Sequence, residues 1–161
     1  MRTLLLLGAA LLVATPALAQ VNVVVSPVSA QRGQIELSGS AAFTSSDGST
    51  SFTISPSIGY FVTNSVQAGL ETIYVNISGA DGNGSLGPFL AYHFGTPIDR
   101  VRPFVQAQAG IGLSSDASFG VTGSAGVKYF FLPGGALRGQ AFVSTGNETT
   151  FGALGGVSIF F

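Results

Sequence analysis

One histidine, no cysteine and seven carboxylates are the groups from which this chain could build a reactive centre. A hydroxyl nucleophile needs a base within hydrogen-bond reach and a third group to orient that base. The histidine, His93, is followed by Phe94 and Gly95, so no His-x-Ser stands there. The hydroxyls nearest a carboxylate, around Asp116 and Ser118, belong to a different turn, toward the opposite end of any strand containing His93. No catalytic residue is expected, and the protein is not expected to be an enzyme. Metal ligation is equally thin, because there is no Cys and no second His to join His93, and no cofactor is expected. Asp47, Asp81, Asp116 and Glu148 each sit in a turn-like stretch with no basic neighbour. They could attract divalent cations, but an acid in a turn is first explained by hydrogen bonds to its own backbone. Gly110-Ile-Gly112 opens no helix and is no nucleotide loop; small residues in a crowded interior account for it.

The elements that would carry these groups are strands. Residues 101–113 place Val101, Pro103, Val105, Ala107, Ala109, Ile111 and Leu113 on one face. Arg102, Phe104, Gln106, Gln108, Gly110 and Gly112 fall on the other. A period of two is that of a strand. The same beat recurs seven more times. Leu37 and Ala41 oppose Glu36 and Ser38; Ile54 and Ile58 oppose Thr53 and Ser57; Leu70 and Tyr74 oppose Gln67 and Glu71. Leu90 and Tyr92 oppose Ala91 and His93; Val121 and Val127 oppose Thr122 and Lys128; Leu137 and Val143 oppose Arg138 and Ser144. Phe151, Val157 and Ile159 oppose Gly152, Gly156 and Ser158. Turn signals such as Asp47-Gly48, Thr63-Asn64, Gly95-Thr96-Pro97 and Pro133-Gly134-Gly135 separate the runs. Links this short require antiparallel neighbours. Pro56 and Pro88 fall inside two of the strands, where a lost ladder bond predicts a bulge or a later strand start.

Composition decides which solvent the strands meet. Charged residues make up 8% of the chain, against about 25% in soluble domains. The polar face, mostly Ser, Thr, Gln and Gly, is too poor in charge for a soluble exterior. Aromatics collect at strand ends: Tyr60, Tyr92, Phe94, Tyr129, Phe131 and Phe161 toward one rim, Phe43, Phe52, Tyr74, Phe119 and Phe151 toward the other. Two aromatic girdles around an apolar band describe a lipid-facing surface. Each strand has the ~9–11 residues that a tilted membrane strand needs.

The N-terminus agrees with export. Arg2, the apolar run of residues 4–13 and the Ala17-Leu18-Ala19 site form a secretory signal peptide. Cleavage after Ala19 leaves five basic and seven acidic residues. That balance gives no basic footprint for a nucleic acid. The expected organisation is a signal peptide over 1–19, an N-terminal periplasmic extension over 20–32 and a barrel over 33–161. The fold class is all-β: an eight-stranded antiparallel up-and-down transmembrane β-barrel, preceded by the cleaved signal peptide.

The second-to-third strand hairpin, with residues 56–64 reading PSIGYFVTN and 66–69 reading VQAG, resembles that of small outer-membrane β-barrel proteins of the OmpA/OmpX-like superfamily. Residues 102–110, RPFVQAQAG, resemble their fifth strand, and the terminal VSIFF is similar to their C-terminal signal. The resemblance implies location in the cell outer membrane, among its lipid and lipopolysaccharide, as a monomer. It also implies that Val157, Ile159 and Phe161 are read by the barrel-assembly machinery during insertion. The peptidoglycan-binding domain of some relatives is not expected, and the surface loops are short for adhesion. In that setting the Asn-x-Ser/Thr matches at Asn76, Asn83 and Asn147 carry no expectation.

By alternation, Glu36, Glu71, Arg102, Lys128 and Arg138 all point inward, mostly in the half nearer the periplasm. Isolated charges there would be costly, so a paired lumen network is expected, with Glu71 reaching Arg138 or Lys128 and Glu36 near Arg138. The first functional expectation is a structural, envelope-integrity barrel with a side-chain-filled lumen. The alternative is a narrow pore for ions or small solutes, followed by a lipid-modifying enzyme.

Overall fold

Alternating β-branched, aromatic and hydroxyl residues form eight strands: β1 (Ile35–Ser46), β2 (Ser49–Phe61), β3 (Val66–Ile77), β4 (Asn83–His93), β5 (Val101–Gly112), β6 (Phe119–Leu132), β7 (Gly135–Thr145) and β8 (Thr149–Phe160). The computed structural model describes residues 30–46, 49–77, 82–113, 118–145 and 149–161. The expected signal peptide and all of the expected extension except residues 30–32 lie outside this set. Each strand pairs antiparallel with its sequence neighbour, and β8 returns to β1, closing the barrel.

The faces separate as a membrane barrel requires. Leu37, Ile58, Leu70, Leu90, Val105, Val127, Leu137 and Val157 point outward and are 44–59% exposed. Glu36, Glu71, Arg102, Lys128 and Arg138 point inward and are at most 5% exposed. A soluble domain inverts this arrangement. A closed sheet whose backbone is paired along most of its strand interfaces, with an apolar exterior, suits hydrocarbon.

The two strand prolines do not make bulges. Pairing of β2 to β3 runs to Ile54↔Tyr74 and resumes at Ser57↔Glu71 in unchanged register. Pairing of β4 to β5 likewise skips from Leu86↔Ile111 to Phe89↔Gln108. Each proline stays paired on its other side, Pro56 with Gly39 and Pro88 with Leu70. A missing N–H removes one ladder contact, and continuous pairing on the opposite edge holds the strand straight. The register does shift between Phe130 and Leu132, where β6 turns into β7. The Pro133-Gly134 link there has Gly134 at φ 78°, which suits Gly at the third position of a tight turn.

The end carrying the C-terminal residue Phe161, together with residues 30–35, is tied closed. Ile35 and Phe161 exchange backbone hydrogen bonds of 3.1 and 2.9 Å, Gly33 N–H donates to Phe61 O at 2.9 Å, and Phe61 N–H donates to Gln34 O at 2.9 Å. At the same end, in the turn between β4 and β5, Asp99 accepts from Thr96 N–H at 2.6 Å and from Thr96 Oγ1 at 3.0 Å. These donors, the backbone N–H first, hold the Asp99 carboxyl below the usual carboxylate range.

Candidate functional site

The lumen at the terminus end is filled in layers. At its mouth Phe61, Phe130 and Phe160 pack with Ala30 and Ala136, the ring centroids of Phe160 lying 5.2 Å from Phe130 and 6.2 Å from Phe61. All three rings occupy inward parity: Phe61 stands two residues after Gly59, Phe130 two after Lys128 and Phe160 two after Ser158. Arg102 stands beneath them, donating from Nη1 to Ala30 O at 2.8 Å and from Nη2 to Asn64 O at 2.7 Å. Residues 30–32 are therefore docked in the mouth of the barrel.

The next layer holds an ion pair. Lys128 Nζ lies 2.5 Å from Glu36 Oε2, and both side chains are almost fully buried. The ammonium also faces the rings of Phe104 at 5.3 Å, Phe160 at 5.7 Å and Phe61 at 5.8 Å. Aromatic faces attract a desolvated cation, so Lys128 is surrounded by one carboxylate and three quadrupoles. Gln67 Nε2 donates to Glu36 Oε2 at 2.7 Å. A carboxylate only accepts, so this bond fixes the Gln67 amide and turns its Oε1 toward His93 Nε2, 3.0 Å away. His93 must then carry its proton on Nε2. Its ring lies against Phe61 and Phe104, with centroids at 5.0 and 5.6 Å. The His93 ring thus meets one amide and two rings, and its backbone N–H donates to Ser65 O at 2.7 Å. Ser118 lies at the other end of the barrel, between β5 and β6, and Asp116 lies outside the described residues.

The third layer departs from the expected pairing. Glu71 accepts from Ser55 Oγ at 2.5 Å and from Gln106 Nε2 in a very short bond, and Gln108 Nε2 donates to its backbone carbonyl at 2.9 Å. Arg138 donates to Gln140 Oε1 at 2.8 Å, Ser38 Oγ at 3.1 Å and Gln106 Oε1 at 2.9 Å. Its guanidinium lies 4.8 Å from the Phe104 ring centroid. Among the described residues Glu71 forms no ion pair with Arg138 or Lys128; Glu36 pairs with Lys128, with the Arg138 charge close by. The reason is position around the wall. Glu71 on β3 and Arg138 on β7 stand four strands apart, and Gln106 on β5 lies midway with one amide group for each.

Sequence alternation therefore places all five charges inward, and the connectors are what it misses. Gln67 and Gln106 carry inward parity but no charge to mark them. Phe61, Phe89, Phe130 and Phe160 share that parity, yet for Phe61, Phe130 and Phe160 an aromatic near a strand end reads first as part of a lipid-facing girdle. Phe89 has a sequence trace in hindsight. A Cβ at Gly59 would lie 2.9 Å from its ring and one at Gly69 2.7 Å. The two glycines are register partners and make the notch that the ring fills. Val157, Ile159 and Phe161 lie on the outer face, each more than half exposed.

Toward the opposite end the filling stops. Inward positions become Ser85, Gly110, Gly112, Gly120, Thr122 and Ser144, and they help to line a cavity of ≈200 Å³.

Neither a family model nor a curated protein sequence matches the chain. Solved structures do. The N-terminal β-barrel domain of OprF from Pseudomonas aeruginosa is 22% identical, with a TM-score of 0.67 over 82% of this chain and 100% of that one. Neisserial surface protein A is 19% identical, with a TM-score of 0.58 over 78% of this chain and 95% of that one. The outer membrane protein OprG from Pseudomonas aeruginosa is 12% identical, with a TM-score of 0.57 over 84% and 99%. Closed topology, inverted faces and these likenesses agree: the fold is that of a small eight-stranded outer-membrane β-barrel.

Proposed function

We propose that this chain is a structural barrel of the cell outer membrane that supports envelope integrity, carries no enzymatic activity and does not conduct through its lumen. The observation that carries the reading is the layered filling of the terminus half. The Glu36–Lys128 pair, the Glu71–Gln106–Arg138 bridge and the Phe61, Phe130 and Phe160 cluster stand one behind another. An eight-stranded barrel is only just wide enough for its own side chains, so charged groups bonded to one another leave little path for ions. A narrow pore is the second reading, favoured by the Gly-, Ser- and Thr-rich cavity at the other end.

In this reading the terminus end faces the periplasm, and lipid and lipopolysaccharide surround a monomer. The barrel-assembly machinery reads Val157, Ile159 and Phe161 during insertion. A deletion strain tests the role. Envelope leakage of a periplasmic reporter should rise, with an unchanged lipid A mass spectrum. An altered lipid A pattern restored by the wild-type gene would replace the structural role with an enzymatic one. An intact envelope would remove the structural role.

A further inference from the structure

Seven of the eight strand interfaces stay paired for most of their length, and the eighth does not. β1 pairs with β8 only over residues 36–41 against 155–160. Beyond Ala41 and Gly155, β1 continues on β2 as far as Ser46↔Ser49, and β8 continues on β7 as far as Thr145↔Thr149. Both hairpins are therefore intact, and among the described residues the ladder between them is missing above that level. The paired half of the seam is tight. A Cβ on Gly156 would lie 2.6 Å from Ser40 Cα.

The slot opens at membrane depth. With ~2.5 Å of height per tilted strand residue, Ala42 stands ~17 Å above the Ile35 level of an apolar band ~25 Å tall. Unpaired sheet edges are not tolerated against hydrocarbon unless they line a polar cavity. A cavity with polar groups lies at the same end of the barrel and meets the unpaired stretch of β8 at Thr150, while Leu154, lower on that edge, is buried. Phe142 lines it too, its ring 2.7 Å from where a Gly152 Cβ would lie. On the lipid side Phe43 and Phe151 flank the slot, 70% and 84% exposed.

We propose that the β1–β8 slot is a lateral port through which the cavity takes up an uncharged amphiphile with one short hydrocarbon chain from the outer leaflet. The lining sets the ligand class. It combines the apolar side chains Ile73, Val75 and Phe142 with the hydroxyls of Ser85, Thr122 and Ser144, and no charged residue is among its described members. A hydroxyl or carbonyl head can bond to such a wall, whereas a charged head would find no counter-ion. The volume, ≈200 Å³, is below the ~300–1,000 Å³ of drug-sized sites, which limits the chain to a short one. The floor is the Glu71 layer, so the ligand leaves as it came, without crossing the membrane.

The chain has no Trp and no Cys, which makes the test direct. Phe142→Trp puts a single fluorophore in the cavity, and Ser144→Trp serves if that variant fails to fold. Ala42→Cys with Leu154→Cys continues the seam register and can close the slot by a disulfide; Phe43→Cys with Ala153→Cys is the second pair. The full-length barrel in lipid vesicles is titrated with a terminally brominated octanol. The port predicts saturable quenching that is lost on oxidation and regained on reduction. Phe151→Trp, on the lipid face, should show only the linear quenching of partition into the bilayer. Saturable quenching indifferent to the disulfide would overturn the port. Linear quenching of the cavity Trp, matching that of the lipid-facing one, would overturn the site.

Discussion

Glu36 and Lys128 are the residues on which the lumen depends most. Each is buried, and each is the other's counter-ion at 2.5 Å. Replacing both by apolar groups of similar volume can be nearly neutral, whereas removing one strands the other at a cost of ~3–5 kcal/mol. Glu36→Gln or Lys128→Met should therefore destabilise strongly, and the double variant should recover much of the loss, as read by urea unfolding in lipid vesicles. Additive penalties would contradict the pair. Glu71 and Arg138 provide the contrast, since Gln106 stands between them. Their double-mutant coupling should fall within the ~0.5–3 kcal/mol seen for residues of one network and vanish in a Gln106→Leu background. Coupling that survives Gln106→Leu would mean that the two charges sense each other directly.

At the scale of the strand, alternation assigns each residue to lipid or lumen. Val105 is outward and Ser57 inward, on β5 and β2 respectively. Val105→Arg near the midplane should cost ~2–4 kcal/mol, and Ser57→Arg should cost less. Gel-shift folding into liposomes ranks the two, and the reverse order would contradict the faces. This level of the structure is legible in the sequence because a two-residue period follows from backbone geometry alone. Eight strands, their antiparallel order and the inward direction of all five charges follow from it. Partner choice does not. Whether Glu71 meets Lys128, Arg138 or neither depends on stagger accumulated across three or four strand interfaces, which no local pattern encodes. The prolines mislead for a related reason. Pro56 and Pro88 each lack one ladder contact, but whether a bulge follows depends on the neighbouring strand, which here holds the register. Phe104 is legible as inward, whereas Phe61, Phe130 and Phe160 stand at strand ends, where a girdle aromatic and a lumen aromatic differ only in parity.

The whole molecule is a barrel of two unlike halves. Its terminus half is packed with bonded charges and aromatic rings, and residues 30–32 are docked into its mouth by Arg102. Its other half is lined by small and hydroxyl residues, with Ile73, Val75 and Phe142, around open space. The seam follows the same division, paired over residues 36–41 and unpaired above. In the proposed reading the filled half makes the barrel a closed element of the membrane, whatever the open half accommodates. Planar-bilayer recording of the purified wild-type barrel tests this most directly. The account predicts insertion without resolved current steps across the voltage range, in dilute and concentrated salt alike. Reproducible ohmic steps whose size grows with salt concentration would show that ions pass the Glu36–Lys128 layer, and would contradict it.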